Sequence, residues 1–355
     1  MNARPLPLGD GLPNAKIFIV GEAWGESEEK ACRPFVGASG QELDRMLHEA
    51  GIMRSETYCS NLVNQRPEGN DISTWVAMKK KEITPRHVML KDKFVLPIVV
   101  EGYASLLKEI DLVNPNIIVP VGNFALWALT GKWGILKWRG SQLYSDTFPY
   151  SLRKRKTIPT IHPAAILREY SLRSAAIQDL KRDAVERATE DYVNVPYYSF
   201  TLRPNLQTVV DKLRDLAAEA EAAGHLWIEF DLETSPKHIT CAGISWSRTE
   251  AMCIPITCAA GNYWTEDEEA VVIYTLYRFL TNPKVWVRGQ NLLYDCQHTY
   301  RHWHFIPNVK QDTMLSHHSV FCGMKKSLDF QASLYADYYV YWKEMHKDLS
   351  NKEGA

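Results

Sequence analysis

"KIFIVGEAWGESEEKACRPFVGASGQELDRML", residues 16–47, starts as a buried-looking strand and ends as an amphipathic helix. Between them lies a loop with glycines at 21, 25, 37 and 40 and one large apolar residue, Phe35, fixed in Pro-Phe-Val-Gly. The helix has Ser39 in an N-cap position, Glu42 three residues on to complete a capping box, and Gly51 to end it. A strand, a glycine-rich crossing and a helix open an alternating α/β chain, and the pattern recurs. "TYCSN" (57–61), "NIIVPVG" (116–122) and "TIPTIH" (157–162) have strand length and β-rich composition. "NFALWALTG" (123–131) and "SLRSAAIQDLKRDAVERATE" (171–190) have helical periodicity. Strands alternating with helices predict a mainly parallel α/β sheet, with its ligand at the carboxyl ends of the strands. The loops after Val20, Tyr58 and Ile161 gather there.

Composition bounds the chemistry. At 355 residues, 45% hydrophobic and 23% charged, the chain has the make-up of a soluble protein with two cores. No apolar run reaches membrane-spanning length and residues 1–14 lack the apolar core of a signal peptide, so the expectation is a cytoplasmic protein with no membrane partner. Seven cysteines with no C-x-x-C spacing, mostly inside apolar strings, read as reduced structural thiols. A formal charge of -1 excludes a globally basic nucleic-acid binder but leaves room for local basic stretches, of which there are two. These are "MKKKEITPRHVMLKDK" (78–93) and "SLRKRK" (151–156), each readable as a solvated loop.

Helical pattern stops at two prolines in "NVPYYSFTLRPN" (194–205). The expected organisation is a first domain over 1–192, a linker over 193–205 and a second domain over 206–355. The second domain opens with the helix "LQTVVDKLRDLAAEAEAAG" (206–224) and the strand "LWIEFDLETS" (226–235). Period-2 alternation turns Asp231 and Glu233 to one face, and two like charges that close call for a divalent cation with oxygen ligands, magnesium or manganese. Farther on, "VWVRGQNLLYD" (285–295) supplies a strand, a Gly-Gln-Asn turn and a helix bearing Asp295.

"FDLETS" (230–235), "GQNLLYD" (289–295) and "DTMLSHHSVFCGMKKSLDFQASLY" (312–335) resemble the motifs of the proofreading 3′–5′ exonuclease domain of family A DNA polymerases. The resemblance implies an RNase H-like fold and a two-metal site with Asp231, Glu233 and Asp295 as ligands to Mg or Mn. In this family a fourth carboxylate comes from a later Tyr-x-x-x-Asp motif. Only Asp337 and Asp348 follow in this chain, neither four residues after a tyrosine, so the expectation is a domain truncated before its third motif. Little exonuclease activity is then expected unless a polymerase subunit completes the domain.

The first half is similar to the uracil-DNA glycosylase superfamily, near its families 4 and 5. The similarity rests on "VGEAWG" (20–25), "RPFVGASGQELDRMLHEAGI" (33–52), "YCSNLVNQRPEGN" (58–70), "PNIIVPVGNFALWALTG" (115–131), "WRG" (138–140) and "TIHPAAILRE" (160–169). It implies a three-layer α/β/α domain that flips uracil out of DNA and hydrolyses its N-glycosidic bond. Gly21, Ala23, Phe35 and Asn61 are then the uracil-binding residues. Phe35 is the surface for stacking unless it is a core side chain, and Asn61 offers a donor and an acceptor to the O4 and N3–H edge. His162 is implied as hydrogen-bond donor to the departing base, and Glu22 either positions water or buttresses the loop. Ile166 or Leu167 is the apolar wedge into the duplex, with Arg168 for a phosphate.

Two departures stand out. Family 4 members carry four cysteines for an iron–sulfur cluster, whereas here the early pair is absent and Gln65 occupies another position. Cys32 and Cys59 do not make the set, and no cluster is expected. Trp24 stands where proline is usual, and Ala23 where other branches place a water-activating aspartate. The expected whole is a bacteriophage-type replication and repair protein acting on uracil-containing and single-stranded DNA. A non-catalytic DNA-binding module tethering a polymerase, or a nuclease alone, are the alternatives.

Overall fold

Alternate residues of the strand Ile17–Ala23 serve two different cores: Ile17 and Ile19 pack into one, Phe18 and Val20 into the other. A strand buried on both faces requires helices on both faces, which is the parallel α/β arrangement. The computed structural model describes residues 8–146, 154–189, 195–235 and 238–342. It forms two compact units, Met1–Val195 with Asp329–Ala355, and Pro196–Leu328.

In the first unit the strands are β1 (Asp10–Gly11), β2 (Ile17–Ala23), β3 (Thr57–Val63), β4 (Val76–Ala77), β5 (Val88–Leu90), β6 (Lys93–Val95), β7 (Ile117–Pro120), β8 (Leu143–Tyr144) and β9 (Lys156–Thr157). The main sheet runs β1-β3-β2-β7-β9-β8, with β3, β2, β7 and β9 parallel and both edges antiparallel. Helices α1 (Glu26–Ala31), α2 (Ala38–Glu49), α3 (Pro97–Val113), α4 (Asn123–Thr130), α5 (Ile135–Trp138), α6 (Pro163–Arg168) and α7 (Arg173–Glu186) complete it. Residues of α3 and α4 build one core and those of α2, α6 and α7 the other, giving the expected three layers. From β2 the chain passes to one side to form β3, then to the other to form β7, so the carboxyl end of β2 lies at the topological switch point.

The α2 start differs from expectation. Gly37 is the N-cap and Ala50 the C-cap, so Ser39 lies inside the first turn. Glu42 makes no capping box, because its buried carboxylate pairs with Arg173 at 2.6 Å and Arg45 at 3.1 Å. A tertiary ion pair to α7 has taken the side chain that the local motif reserved for the helix end.

The second unit contains β10 (Ser199–Leu202), β11 (Leu226–Thr234), β12 (Ile239–Ser245), β13 (Glu250–Pro255), β14 (Thr257–Cys258), β15 (Gly261–Asn262), β16 (Val285–Gly289) and β17 (Val309–Asp312). Its helices are α8 (Leu206–Ala223), α9 (Glu266–Leu280), α10 (Leu292–Trp303) and α11 (Thr313–Val320). The sheet order is β10-β13-β12-β11-β16-β17, with β12 antiparallel to both neighbours and β16 and β17 parallel to β11. Numbering the strands from β11, this is the 3-2-1-4-5 order of an RNase H-like sheet, with β10 added parallel at one edge.

Two boundaries move. The expected linker 193–205 contains β10, hydrogen-bonded along β13. Residues beyond Leu328, read as the continuing second domain, group with the first unit. There α12 (Leu328–Tyr335) places Ser333 Oγ 2.6 Å from Arg139, and Tyr339 exchanges hydrogen bonds with Gln142 at 2.8 and 3.2 Å. Tyr341 meets Trp138 edge-on at 5.4 Å. Asp337 therefore lies in a stretch grouped with the first unit, and Asp348 lies outside the described residues.

All seven cysteines are free, but only Cys59 is buried, while Cys32, Cys258 and Cys322 are exposed. Among the described residues no helix is long and apolar enough to cross a membrane.

Candidate active site at the switch point

A cleft of about 800 Å³ opens at the carboxyl ends of β2, β3 and β7, within the usual size for small-molecule sites. Glu22, Ala23, Trp24, Phe35, Asn61, His162, Leu167 and Arg168 all line it. Gly21 lies one residue behind. A Cβ there would stand 2.2 Å from Asn61 Oδ1 and 2.7 Å from Phe35 Cζ, so this glycine makes room for the two side chains rather than for a ligand.

Phe35 has a left-handed backbone, φ 56°, a conformation that costs a non-glycine residue free energy. Its carbonyl fits against Gly40, where a Cβ would be 1.9 Å away. The ring is 7% exposed and joins the α2-side core, with the Arg54 guanidinium 5.8 Å from its centroid. It is thus both a core side chain and part of the cleft wall.

The loop is tied together by Glu28, which the sequence reading did not single out. Its carboxylate accepts from the backbone N–H of Gly25 at 3.1 Å, Val36 at 3.0 Å and Gly37 at 2.8 Å. A Cβ at Gly25 would approach Glu28 Oε2 to 2.8 Å, which gives this glycine its reason. The G-x-x-E spacing at 25–28 was the available signal, an acid at the third position of a helix.

Asn61 is 5% exposed. Asn64 Oδ1 accepts from both its backbone N–H at 3.2 Å and its Nδ2 at 3.1 Å, while Asn64 Nδ2 donates to Ser60 Oγ at 3.0 Å. That chain fixes which end of the Asn61 amide is the donor and leaves the second Nδ2–H and Oδ1 side by side.

His162 caps α6, its Nδ1 accepting from Ala164 N at 3.1 Å. A ring nitrogen that accepts carries no proton, so the neutral imidazole holds its hydrogen on Nε2. Burial, reinforced by the Arg168 charge, pushes the imidazole pKa down to about 4. Glu22 is shifted the other way, up to about 7 by burial, against the pull of the Phe124 and Asn123 backbone N–H groups. Phe124 N donates to it at 3.0 Å, and Gly122, at φ 98°, leaves the space its carboxylate needs at the start of α4. Asp71 also lines the cleft and raises Glu22 further. Trp24 Nε1 is buried without a protein acceptor.

Ile166 is fully buried in the α2-side core, which removes it as a wedge. Leu167, 49% exposed at the cleft, is the apolar side chain available there.

In the second unit Asp231 and Glu233 are exposed on the sheet face opposite the core, as the alternation predicted. Asp295 on α10 is buried, its Oδ1 accepting from Leu232 N at 2.9 Å. Burial lifts Asp295 to about 6, and the Asp231 charge adds to the rise. Although the residue is exposed, partial loss of water around its carboxyl, and then the Glu233 charge, raise Asp231 as well. The donor set suits a hard divalent cation. Among the described residues no three histidine, cysteine or acidic groups stand close enough to hold an ion as arranged. Asp312 is a further acid near this site, but it caps α11 and also accepts from Asn291 N and Leu292 N.

A family model described as the uracil DNA glycosylase superfamily matches residues 8–185. The type-4 uracil-DNA glycosylase of Thermotoga maritima is 33% identical over 186 residues, covering 51% of this chain and 83% of that protein. That of Sulfurisphaera tokodaii is 32% identical over 203 residues, 56% of this chain and 80% of the relative. A DNA polymerase of Bacillus phage SP01 is 25% identical over 258 residues, a match of 72% of this chain that runs through both units. This chain spans only 25% of that polymerase's length. Among solved structures, Escherichia coli RNase D aligns over 42% of this chain and 36% of its own at 12% identity, with a TM-score of 0.31.

Proposed function

The chain belongs to the uracil DNA glycosylase superfamily, and from that premise we propose that its first unit releases uracil from DNA by hydrolysing the N-glycosidic bond. A base removed from DNA must leave the stack and be held by its edge. Phe35 offers the flipped uracil an aromatic wall, and the oriented Asn61 amide presents its second Nδ2–H to O4 and its Oδ1 to N3–H. As the bond between C1′ and N1 breaks, its electron pair passes to the base and charge collects on O2. The His162 Nε2–H is the donor for that charge, and a neutral donor needs no proton transfer to do this. Water adds to C1′ and gives its proton to Glu22, which is about half ionised at neutral pH. Leu167 and Arg168 at the rim fill the gap in the duplex and meet a phosphate. The observation that carries this reading is the Ala164 N–H to His162 Nδ1 bond, which fixes the imidazole as a neutral donor in the same cleft as Asn61.

Within residues 8–185 the only cysteines are Cys32, exposed, and Cys59, buried, so the donor set does not fit a four-cysteine cluster. The purified protein is expected to be iron-free, and iron at cluster stoichiometry would contradict that. In the second unit Asp231, Glu233 and Asp295 are the residues that would hold Mg or Mn, which would supply a nucleophilic water and stabilise a leaving 3′ oxygen. The protein would act in the cytoplasm of a phage-infected cell, beside or as part of a DNA polymerase. The test is a uracil-containing oligonucleotide incubated with the protein and then treated with alkali. Cleavage at the uracil position is expected, and intact product throughout would leave a DNA-binding tether as the function.

A further inference from the structure

We propose that residues 78–89 form a rim that binds the phosphodiester backbone of DNA beside the uracil cleft, a proposal that rests on that cleft receiving DNA. The segment belongs to a three-stranded antiparallel sheet, β4-β6-β5. Val76, Leu90 and Val95 root this sheet in the α3-side core, so what it carries outward is held by a packed base. It is also continuous with the cleft: Asp71 and Ile72 line the cleft, and the single turn Ile72–Trp75 leads straight into β4.

The charge on it is unspent. Residues 78–93 hold six lysines and arginines against two acids, in a chain whose formal charge is -1. Glu82, the acid at the tip, gives its carboxylate to the backbone N–H groups of Met78 at 2.9 Å and Lys79 at 3.0 Å. Among the described residues Lys79, Lys80, Lys81 and Arg86 are exposed and have no salt-bridge partner. Nearer the base, by contrast, Lys91 pairs with Asp146 and Lys93 with Asp92. In the other basic stretch Arg155 and Lys156 show the opposite outcome, Arg155 buried against Asp111 at 3.0 Å and Lys156 against Glu186 at 3.3 Å, while Lys154 is exposed. Two cations of that stretch are taken into the fold, whereas Lys79, Lys80, Lys81 and Arg86 face outward, with Met78, Val88 and Met89 exposed among them.

Exposed cations without salt-bridge partners, on a segment with a packed base, suit a run of phosphates. Each phosphate neutralised releases counterions, so the salt dependence of binding counts the contacts, with a slope of about 0.7 to 0.9 per contact. The experiment uses the full chain and a variant carrying Lys79→Gln, Lys80→Gln, Lys81→Gln and Arg86→Gln. Binding to a uracil-free fluorescent oligonucleotide, single-stranded and duplex, is measured by anisotropy between about 50 and 200 mM salt. The expected result is a slope shallower by about 2 to 4 and affinity at least about tenfold weaker at the low-salt end, with Tm unchanged. Lys80→Glu alone gives the same direction should the fourfold variant lose stability. A slope and affinity equal to wild type overturn the proposal. Because the probe lacks uracil, the readout is separate from base release. A shallower slope supports the rim even if wild type releases no uracil, and an unchanged slope overturns it even if uracil is released.

Discussion

Glu22 and His162 are displaced from ordinary acidity by the same cause, removal from water, and in opposite directions because one is charged when deprotonated and the other when protonated. The pH dependence of base release follows. Glu22 takes a proton only when ionised, so kcat/KM rises with pH until about 7 and then levels off. His162 stays neutral above about 4 and adds no second limb near neutrality. Steady-state rates between pH 5 and 9 check this: Glu22→Gln is expected to flatten the profile and lower the rate by about 10² or more. A wild-type profile already flat across that range would assign Glu22 to buttressing α4. His162→Ala is expected to cost about 10²- to 10³-fold in kcat, read in single turnovers. Gly21→Ala drives a methyl group into Asn61 and Phe35, and a displacement of that order costs about 10²-fold in base release without touching the ligand.

Glu28 acts at the scale of the element, joining the start of α1 to the turn before α2 through three backbone N–H groups. Glu28→Ala leaves those donors unsatisfied and is expected to cost about 2 to 4 kcal/mol, measurable by urea denaturation. A loss below about 0.5 kcal/mol would mean water replaces the carboxylate without penalty. The segment after Leu328 matters similarly. Arg139, buried in a two-oxygen pair with Asp179 at 2.5 and 2.9 Å, also holds Ser333, and Arg182 donates to Ala336 O at 2.8 Å. A chain ending at residue 328 is expected to show a lower Tm for the first unit, seen as earlier exposure of Trp138 fluorescence. The strands, helices and parallel sheet were legible because apolar period and glycine position are local signals. Asp231 and Glu233 on one face followed from strand alternation alone. What was not legible depended on distant partners. Glu42 was claimed by Arg173, the Asn61 amide was oriented by Asn64, and residues 329–342 rejoined a unit that precedes them by more than a hundred positions. Ile166 and Leu167 are adjacent apolar residues, and only packing separates the buried one from the exposed one.

At the scale of the whole chain, each of two units carries a candidate site, one lined by hydrogen-bonding side chains and one by carboxylates. Chelation with EDTA is therefore expected to leave uracil release unchanged while removing any digestion of a uracil-free strand. Loss of uracil release on chelation would show that a cation serves the first unit as well. With no three acidic groups closed around a point among the described residues, the second unit is expected to take up Mn weakly, and Asp231→Ala to weaken it further, by isothermal titration. The central claim is that the switch-point cleft releases uracil, and single-turnover release from a uracil oligonucleotide by wild type, Asn61→Ala and His162→Ala tests it most directly. The account predicts alkali-labile sites with wild type and at least about 10²-fold fewer with either variant, both variants remaining folded. Equal rates in all three proteins, or no release by wild type under conditions where it binds the oligonucleotide, would contradict it.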